Sequence, residues 1–249
     1  MRTAVVTGGN RGIGYAVCES LTREDFHVIA VVRDPTAPVP PRVERLRGDL
    51  SSRRTVAQLA EALAGTTIDV LIHNAGIWPT RLRRNEDGIE ESFAVNHLAP
   101  FQLNLALEPR LRRVVQVSAG LYVKGDVDPG KTPWGKDFHR LRTYCHTKQA
   151  NLLMVKEFAQ RWQEVTIDAI HPGVIRTNLG DPGGALGLVL RALKKTWSPV
   201  AEAAPPIVDL ATAEGTGRYF NVTAEEPLPE NPELSSRLWE QARKLTGAD

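Results

Sequence analysis

Hydrophobic and polar positions along this chain follow two alternating rhythms. Short apolar runs, rich in β-branched residues and closed by glycine or polar turns, read as buried strands: "TAVVT", "HVIAVV", "IDVLIHNAG", "RRVVQVSAG", "VTIDAIHPG" and "GRYFNV". "RVERLRGDL" holds a further strand. Between these runs apolar residues return at helical spacing. Such stretches run from about Gly12 to Arg23, through "SRRTVAQLAEALA" and "GIEESFAVNHLAPFQLNLAL", from around Tyr144 to about Trp162, and through "PVAEAAPPIVDLAT" and "SSRLWEQARKLT". Pro100 lies inside the third of them and removes a backbone donor, so a kink or break is expected there. The alternation predicts an α/β fold, a parallel sheet of about seven strands with helices on both faces. No repeat or low-complexity linker divides the chain, and a single domain over residues 1–249 is expected.

Composition narrows the classes. Of the 249 residues 42% are hydrophobic and 24% charged, ordinary values for a globular protein with a full core. A formal net charge of +2 gives no nucleic-acid footprint. The opening "MRTAVVTGG" lacks the basic start, apolar run and cleavage site of a signal peptide. No apolar run approaches the roughly 18 residues of a membrane-spanning helix. The two cysteines, Cys18 and Cys145, then read as free thiols in a reducing compartment, and a cytoplasmic protein is expected.

In a sheet of this kind ligand sites lie at the carboxyl ends of the strands. After the first strand comes "TGGNRGIG", where Gly8, Gly12 and Gly14 precede a helix. Glycines let a backbone approach a pyrophosphate, and a helix N-terminus offers free N–H donors. After the second strand, about 20 residues past Gly14, stands Arg33. An arginine there accommodates a 2′-phosphate, and Arg11 adds a second cation, so the pair points to NADP(H) rather than NAD. A solvated loop arginine is the plain alternative for Arg33. Asp34 either caps the next segment or turns toward the ribose. Asp49, after the third strand, either accepts from an adenine amino group or serves a turn near Ser51. In "TYCHTK", Tyr144 precedes Lys148 by one helical turn, so the two share a face. That pair alone is a weak signal of proton transfer.

"TGGNRGIG", "GDL", "NAG", "VNH", "VSAG", "YCHTK" and "HPGVIRT" stand in the order and approximate spacing of the short-chain dehydrogenase/reductase family, which the chain resembles over nearly its whole length. "VNHLAPF", "HPGVIRTNL" and the ending "GRYFNV…LWEQARKLTG" are most similar to its retinol-dehydrogenase-like and carbonyl-reductase-like branch. The resemblance implies a Rossmann-type doubly wound sheet and NADP(H)-dependent reduction of a ketone or aldehyde of an apolar small molecule, or the reverse oxidation. It implies Tyr144 as general acid/base, Lys148 to lower the phenol's pKa and bind the nicotinamide ribose, and Ser118 to hold the substrate oxygen. Asn96 would bind a water linking Lys148 to solvent. Asn10, Arg11, Ile13 and the three glycines would line the phosphates, Asp49 and Leu50 the adenine. Asn74, Ala75 and Gly76 would form a cofactor wall, and Pro172, Gly173, Ile175 and Thr177 would line the nicotinamide amide and phosphates. No metal site is assigned.

The chain also departs from the family pattern. His73 replaces the first of the usual two asparagines before "AG" and reads as a packed strand-end histidine. Ser118 and Tyr144 are roughly 26 positions apart, about twice the common gap. The inserted loop, about 119–141, is expected to border the substrate mouth through Tyr122 or Trp134 and to obstruct the helix pairing by which family members often tetramerise. A homodimer stays open. Residues about 178–198 read as a substrate lid, with Leu179, Leu186 and Leu190 toward the substrate, or else as a surface helix packed on the core. The basic run Arg81–Arg84 reads as a solvated loop. Two other uses of the scaffold remain open: non-redox chemistry such as epimerisation, dehydration or cyclisation, and NADP(H) sensing. Family sensors generally lose the tyrosine or lysine, and this chain keeps both.

Overall fold

The computed structural model describes residues 1–173 and 200–248. Among them eight strands form one sheet, ordered β3-β2-β1-β4-β5-β6-β7-β8. The parallel strands are β1 (Thr3–Thr7), β2 (His27–Val32), β3 (Glu44–Arg47), β4 (Val70–His73), β5 (Arg113–Val117), β6 (Thr166–His171) and β7 (Tyr219–Asn221). Strand β8 (Ala224–Glu226) runs antiparallel to β7. The chain winds outward from β1 to β3, then crosses back and winds the other way from β4. The topological switch point therefore lies between β1 and β4, where a Rossmann-type doubly wound sheet opens a crevice.

Side-chain alternation along the strands feeds two cores. Val6, Ala30, Ile72, Val115 and Ile170 pack with Val17 and Leu21 of helix α1 (Gly12–Arg23) and with Ile207 of α6 (Val200–Thr212). Val5, Leu71, Val114, Ile167 and Ala169 face the other side. There they meet Leu59 of α2 (Arg53–Leu63), Phe101 of α4 (Ala99–Leu107), Phe158 of α5 (Arg140–Arg161) and Trp239 of α7 (Pro232–Thr246). Coverage on both faces is why the central strands read as continuous apolar runs.

Two expectations change in detail. The segment "GRYFNV" was expected to end the sheet as a seventh strand, but a hairpin adds an eighth. Asn221 pairs with Ala224, leaving only Val222 and Thr223 in the turn. Two-residue turns usually place glycine or asparagine at positive φ. Here Val222 takes that conformation, φ 59°, and its β-branched side chain hides the turn from a reading of the sequence. Second, the helix containing Pro100 does not break. Short α3 (Glu91–Phe93) passes through a π-helical turn (Ala94–Leu98) into α4. Pro100 has no N–H for the carbonyl of Asn96, and Asn151 Nδ2 donates to that oxygen instead, at 2.7 Å.

The inserted loop lies along α5. Asp126 N donates to His146 Nδ1 (2.8 Å) and Val127 N to Gln149 Oε1 (2.9 Å), while Gln241 Nε2 of α7 donates to Pro129 O (2.7 Å). The lid expected at about 178–198 lies outside the described residues.

Candidate active site

Two strand ends frame the switch point, and side-chain hydrogen bonds fasten them. Thr7 Oγ1, ending β1, accepts from Asn74 N (3.1 Å) and Ala75 N (3.0 Å). Asn74 Nδ2 donates back to Thr7 O (2.9 Å) and Gly8 O (3.3 Å). Gly14 must be glycine, because a Cβ there would lie 2.3 Å from Gly8 O and 2.4 Å from Asn74 Nδ2. Gly8 and Gly12 hold φ of 70° and 55°, and a Cβ on Gly12 would meet open space. Helix α1 starts at Gly12 without a side-chain cap or an acid in its first turn. Its first amides and positive dipole end are free for an anion, with half-buried Asn10 and Ile13 in the same turn. These features fit a bound dinucleotide phosphate.

Arg11 and Arg33 flank this turn, both exposed, and neither side chain forms an ion pair or hydrogen bond among the described residues. Asp34 is engaged: its Oδ1 accepts from Thr36 N (2.8 Å) and Thr36 Oγ1 (2.7 Å), which holds its carboxyl below the usual range. Of the two roles open to Asp34, the structure gives the turn cap. Asp49 Oδ1 likewise accepts from Ser51 N (2.9 Å), leaving its second oxygen unused. Leu50 is partly buried against the larger core.

The chemistry-bearing residues gather at the ends of β4 and β5. Tyr144, on α5, is 5% exposed, and burial raises its pKa well above the ordinary phenol value. Lys148, one turn on, is equally buried. Its Nζ donates to Val117 O at 3.1 Å and lies 5.7 Å from the Tyr144 ring centroid. No carboxylate pairs with it among the described residues, and burial lowers its pKa to about 8. Gly76 covers the ammonium closely; a Cβ there would stand 4.0 Å from Nζ. Ser118 Oγ is buried and has no hydrogen-bond partner among the described residues. A buried hydroxyl left unpaired is costly, and this one is free to bind an oxygen.

Asn96 is fully occupied. Its Oδ1 accepts from Ile77 N (2.8 Å), and its Nδ2 donates to Ile77 O (2.9 Å) and Thr147 Oγ1 (3.2 Å). It thereby ties the loop after β4 to α5. The histidine expected to pack at the end of β4 does so: His73 Nε2 meets Asn104 Oδ1 at 2.8 Å, and burial pulls its pKa to about 4.

Pro172 is buried and Gly173 has φ 94°. Ile175, Thr177, Leu179, Leu186 and Leu190 lie outside the described residues. The two aromatics expected at the substrate mouth are both partly buried against the larger core. The Tyr122 ring meets that of Tyr219 edge-on (5.3 Å), and the backbone carbonyl of Trp134 accepts two bonds from Arg84. The aromatic ring on Tyr144 is Trp78, which the sequence reading passed over. Their centroids are 4.6 Å apart and their planes 8° from parallel. The available signal was an aromatic two residues past "NAG".

The chain as a whole has known relatives. A family model described as short chain dehydrogenase matches residues 2–183. Human retinol dehydrogenase 13 is 32% identical over 284 residues, covering 100% of this chain and 85% of its own. The chain belongs to the short-chain dehydrogenase family. DnrU of Streptomyces sp. (strain C5), named as a daunorubicin C-13 ketoreductase, is 30% identical, covering 99% of this chain and 93% of its own. The crystal structure of a protein from Mycobacterium Paratuberculosis superposes with a TM-score of 0.81 at 27% identity, covering 99% of this chain and 94% of that one.

Proposed function

We propose that the chain is an NADP(H)-dependent oxidoreductase, built on one domain over residues 1–249, that reduces a ketone or aldehyde of an apolar small molecule or oxidises the alcohol. The observation that carries this reading is the buried trio beside the switch point: Ser118 Oγ, Tyr144 and Lys148, the serine without a hydrogen-bond partner and the lysine without a carboxylate among the described residues. The names of the relatives, a retinol dehydrogenase and a ketoreductase, support alcohol–carbonyl chemistry.

A bound nicotinamide dinucleotide supplies or takes the hydride. The glycine turn and the amides of α1 would hold its phosphates, Arg11 and Arg33 its 2′-phosphate, and Asp49 and Leu50 its adenine. Asn74, Ala75, Gly76, Pro172 and Gly173 wall it, and Lys148 binds the ribose. Burial keeps Tyr144 protonated at neutral pH, so it gives its proton to the oxygen of a carbonyl undergoing reduction. Ser118 Oγ donates a hydrogen bond to that same oxygen as charge develops on it. The ammonium of Lys148 favours the tyrosinate left behind. The side chain of Asn96 is already bonded to Ile77 and Thr147, so its part is to hold the loop after β4 against α5 rather than to bind the water that the resemblance implies. In the oxidative direction the same groups run in reverse. The buried cysteines, Cys18 and Cys145, agree with a reducing, cytoplasmic setting. Among the described residues no helix is long and apolar enough to cross a membrane.

The test is oxidation of NADPH and of NADH by the purified protein with apolar ketones, aldehydes and quinones. The expected result is turnover that prefers NADPH. Tight NADPH binding with no turnover of any carbonyl would contradict the proposal and favour sensing or non-redox chemistry.

A further inference from the structure

We infer that Trp78 is a positioning residue for Tyr144, its indole holding the phenol against swings that would displace the hydroxyl and closing one ring face, so that a carbonyl reaches the hydroxyl only from the remaining directions. This inference rests on the proposed role of Tyr144.

Three observations carry it. The indole and phenol rings are stacked, with centroids 4.6 Å apart and planes within 8° of parallel. Offset stacking of this kind is one of the two arrangements that aromatic pairs favour. A stacked ring must part from its neighbour to turn about Cβ–Cγ, so the flip rate reports how tight the stack is. The same contact resists the swing about Cα–Cβ that would carry the hydroxyl away. Second, Trp78 Nε1 donates to the carbonyl of Arg140 at 2.6 Å. Arg140 opens α5, and in a regular helix its carbonyl is also the acceptor for the amide of Tyr144, four residues on. The indole thus holds the tyrosine by its ring and by its turn of backbone. Third, the preceding residue is itself fixed, because both the amide and the carbonyl of Ile77 are bonded to the Asn96 side chain. Trp78 is therefore mounted on a rigid base and only half-buried, beside the tyrosine that the proposed reaction uses.

A role in packing alone predicts something different. It would lower stability when the indole is removed, yet leave the phenol's motion and the turnover of folded protein unchanged. The experiment is NMR of protein carrying ring-labelled tyrosine, run beside kinetics with menadione, acetophenone and 2-decanone as probes. Four tyrosines are present, and the Tyr144 signals are the ones absent from Tyr144→Phe. The expected result is slow ring flipping of Tyr144 in the parent, fast flipping in Trp78→Ala, and slow flipping restored in Trp78→Phe, which keeps a stacked ring. On any probe that is turned over, Trp78→Ala should lower kcat by about 10–100-fold with KM little changed, and Trp78→Phe should recover most of it. Equal ring dynamics in the parent and Trp78→Ala would overturn the inference. So would an unchanged kcat, or a phenylalanine variant no better than alanine. The ring spectrum decides the matter even if no probe reacts. Turnover that survives in Tyr144→Phe would instead sink the role proposed for Tyr144, whatever Trp78 does.

Discussion

At the phosphate end of the candidate groove Arg11 and Arg33 stand exposed and without partners among the described residues. At the opposite end Lys148 is buried, and no carboxylate neutralises it among the described residues. Solvent and salt screen the first pair, so in the proposed role they would attract an anion at little cost to the fold. The second charge is held out of water, and the fold bears its desolvation; its pKa near 8 records that cost. The comparison teaches where function strains this protein. Under the proposed reading, recognition of charge is placed where it is energetically inexpensive, and proton chemistry where water is excluded.

The most severe way to break the comparison is Lys148→Met. Turnover should fall by about 100–1000-fold, since the charge that favours the tyrosinate is gone. Stability at pH 7 should rise by about 1–3 kcal/mol, because a buried ammonium is replaced by an apolar chain of similar length. The pH dependence carries a sign. In the folded state Lys148 loses its proton near pH 8, against an ordinary 10.5. Below about pH 8 both folded and unfolded chains hold the proton and the full cost is present. Between there and 10.5 only the unfolded chain does, so this residue's contribution to stability improves as pH rises. Urea denaturation of both proteins from pH 6 to 10 should show that improvement in the parent and its absence in the variant.

A smaller effect is expected at the exposed end. Arg33→Ala should weaken NADPH binding by about 10-fold and leave NADH binding nearly unchanged, as measured by calorimetry. Added salt should weaken NADPH binding by the parent more than by the variant. An equal loss for both cofactors would remove Arg33 from the 2′-phosphate.

The smallest effect belongs to a position outside both ends. Val222 sits at positive φ in the β7–β8 turn. Val222→Gly should change stability by less than about 1 kcal/mol, relief of the turn offsetting the entropy of glycine, with kinetics untouched. This variant serves as the control for the other two.

Much of the framework was legible because the physics is local. Strands covered on both faces must be continuously apolar, and "HVIAVV" or "RRVVQVSAG" can hardly be anything else. The glycine turn was legible because close backbone approach admits one residue type, as the crowding at Gly14 shows. Other features depend on partners distant in sequence. Whether Asp34 faces a ribose or Thr36 is a rotamer decision. Pro100 gave notice of an irregular helix, but the π turn exists because Asn151 supplies the missing donor. The stack of Trp78 on Tyr144 joins residues from the β4 loop and α5, and no periodicity reports it. The opposing pKa shifts of Tyr144 and Lys148 come from burial, which helical spacing alone does not reveal.

The central claim is that Tyr144 transfers the proton. Tyr144→Phe keeps the ring, the stack on Trp78 and the burial, and removes only the hydroxyl. The most direct measurement is steady-state NADPH oxidation by this variant on the best carbonyl substrate of the parent, with NADPH affinity measured in parallel. The account predicts a loss in kcat of about 1000-fold with NADPH affinity nearly unchanged. Turnover within a few-fold of the parent would contradict it.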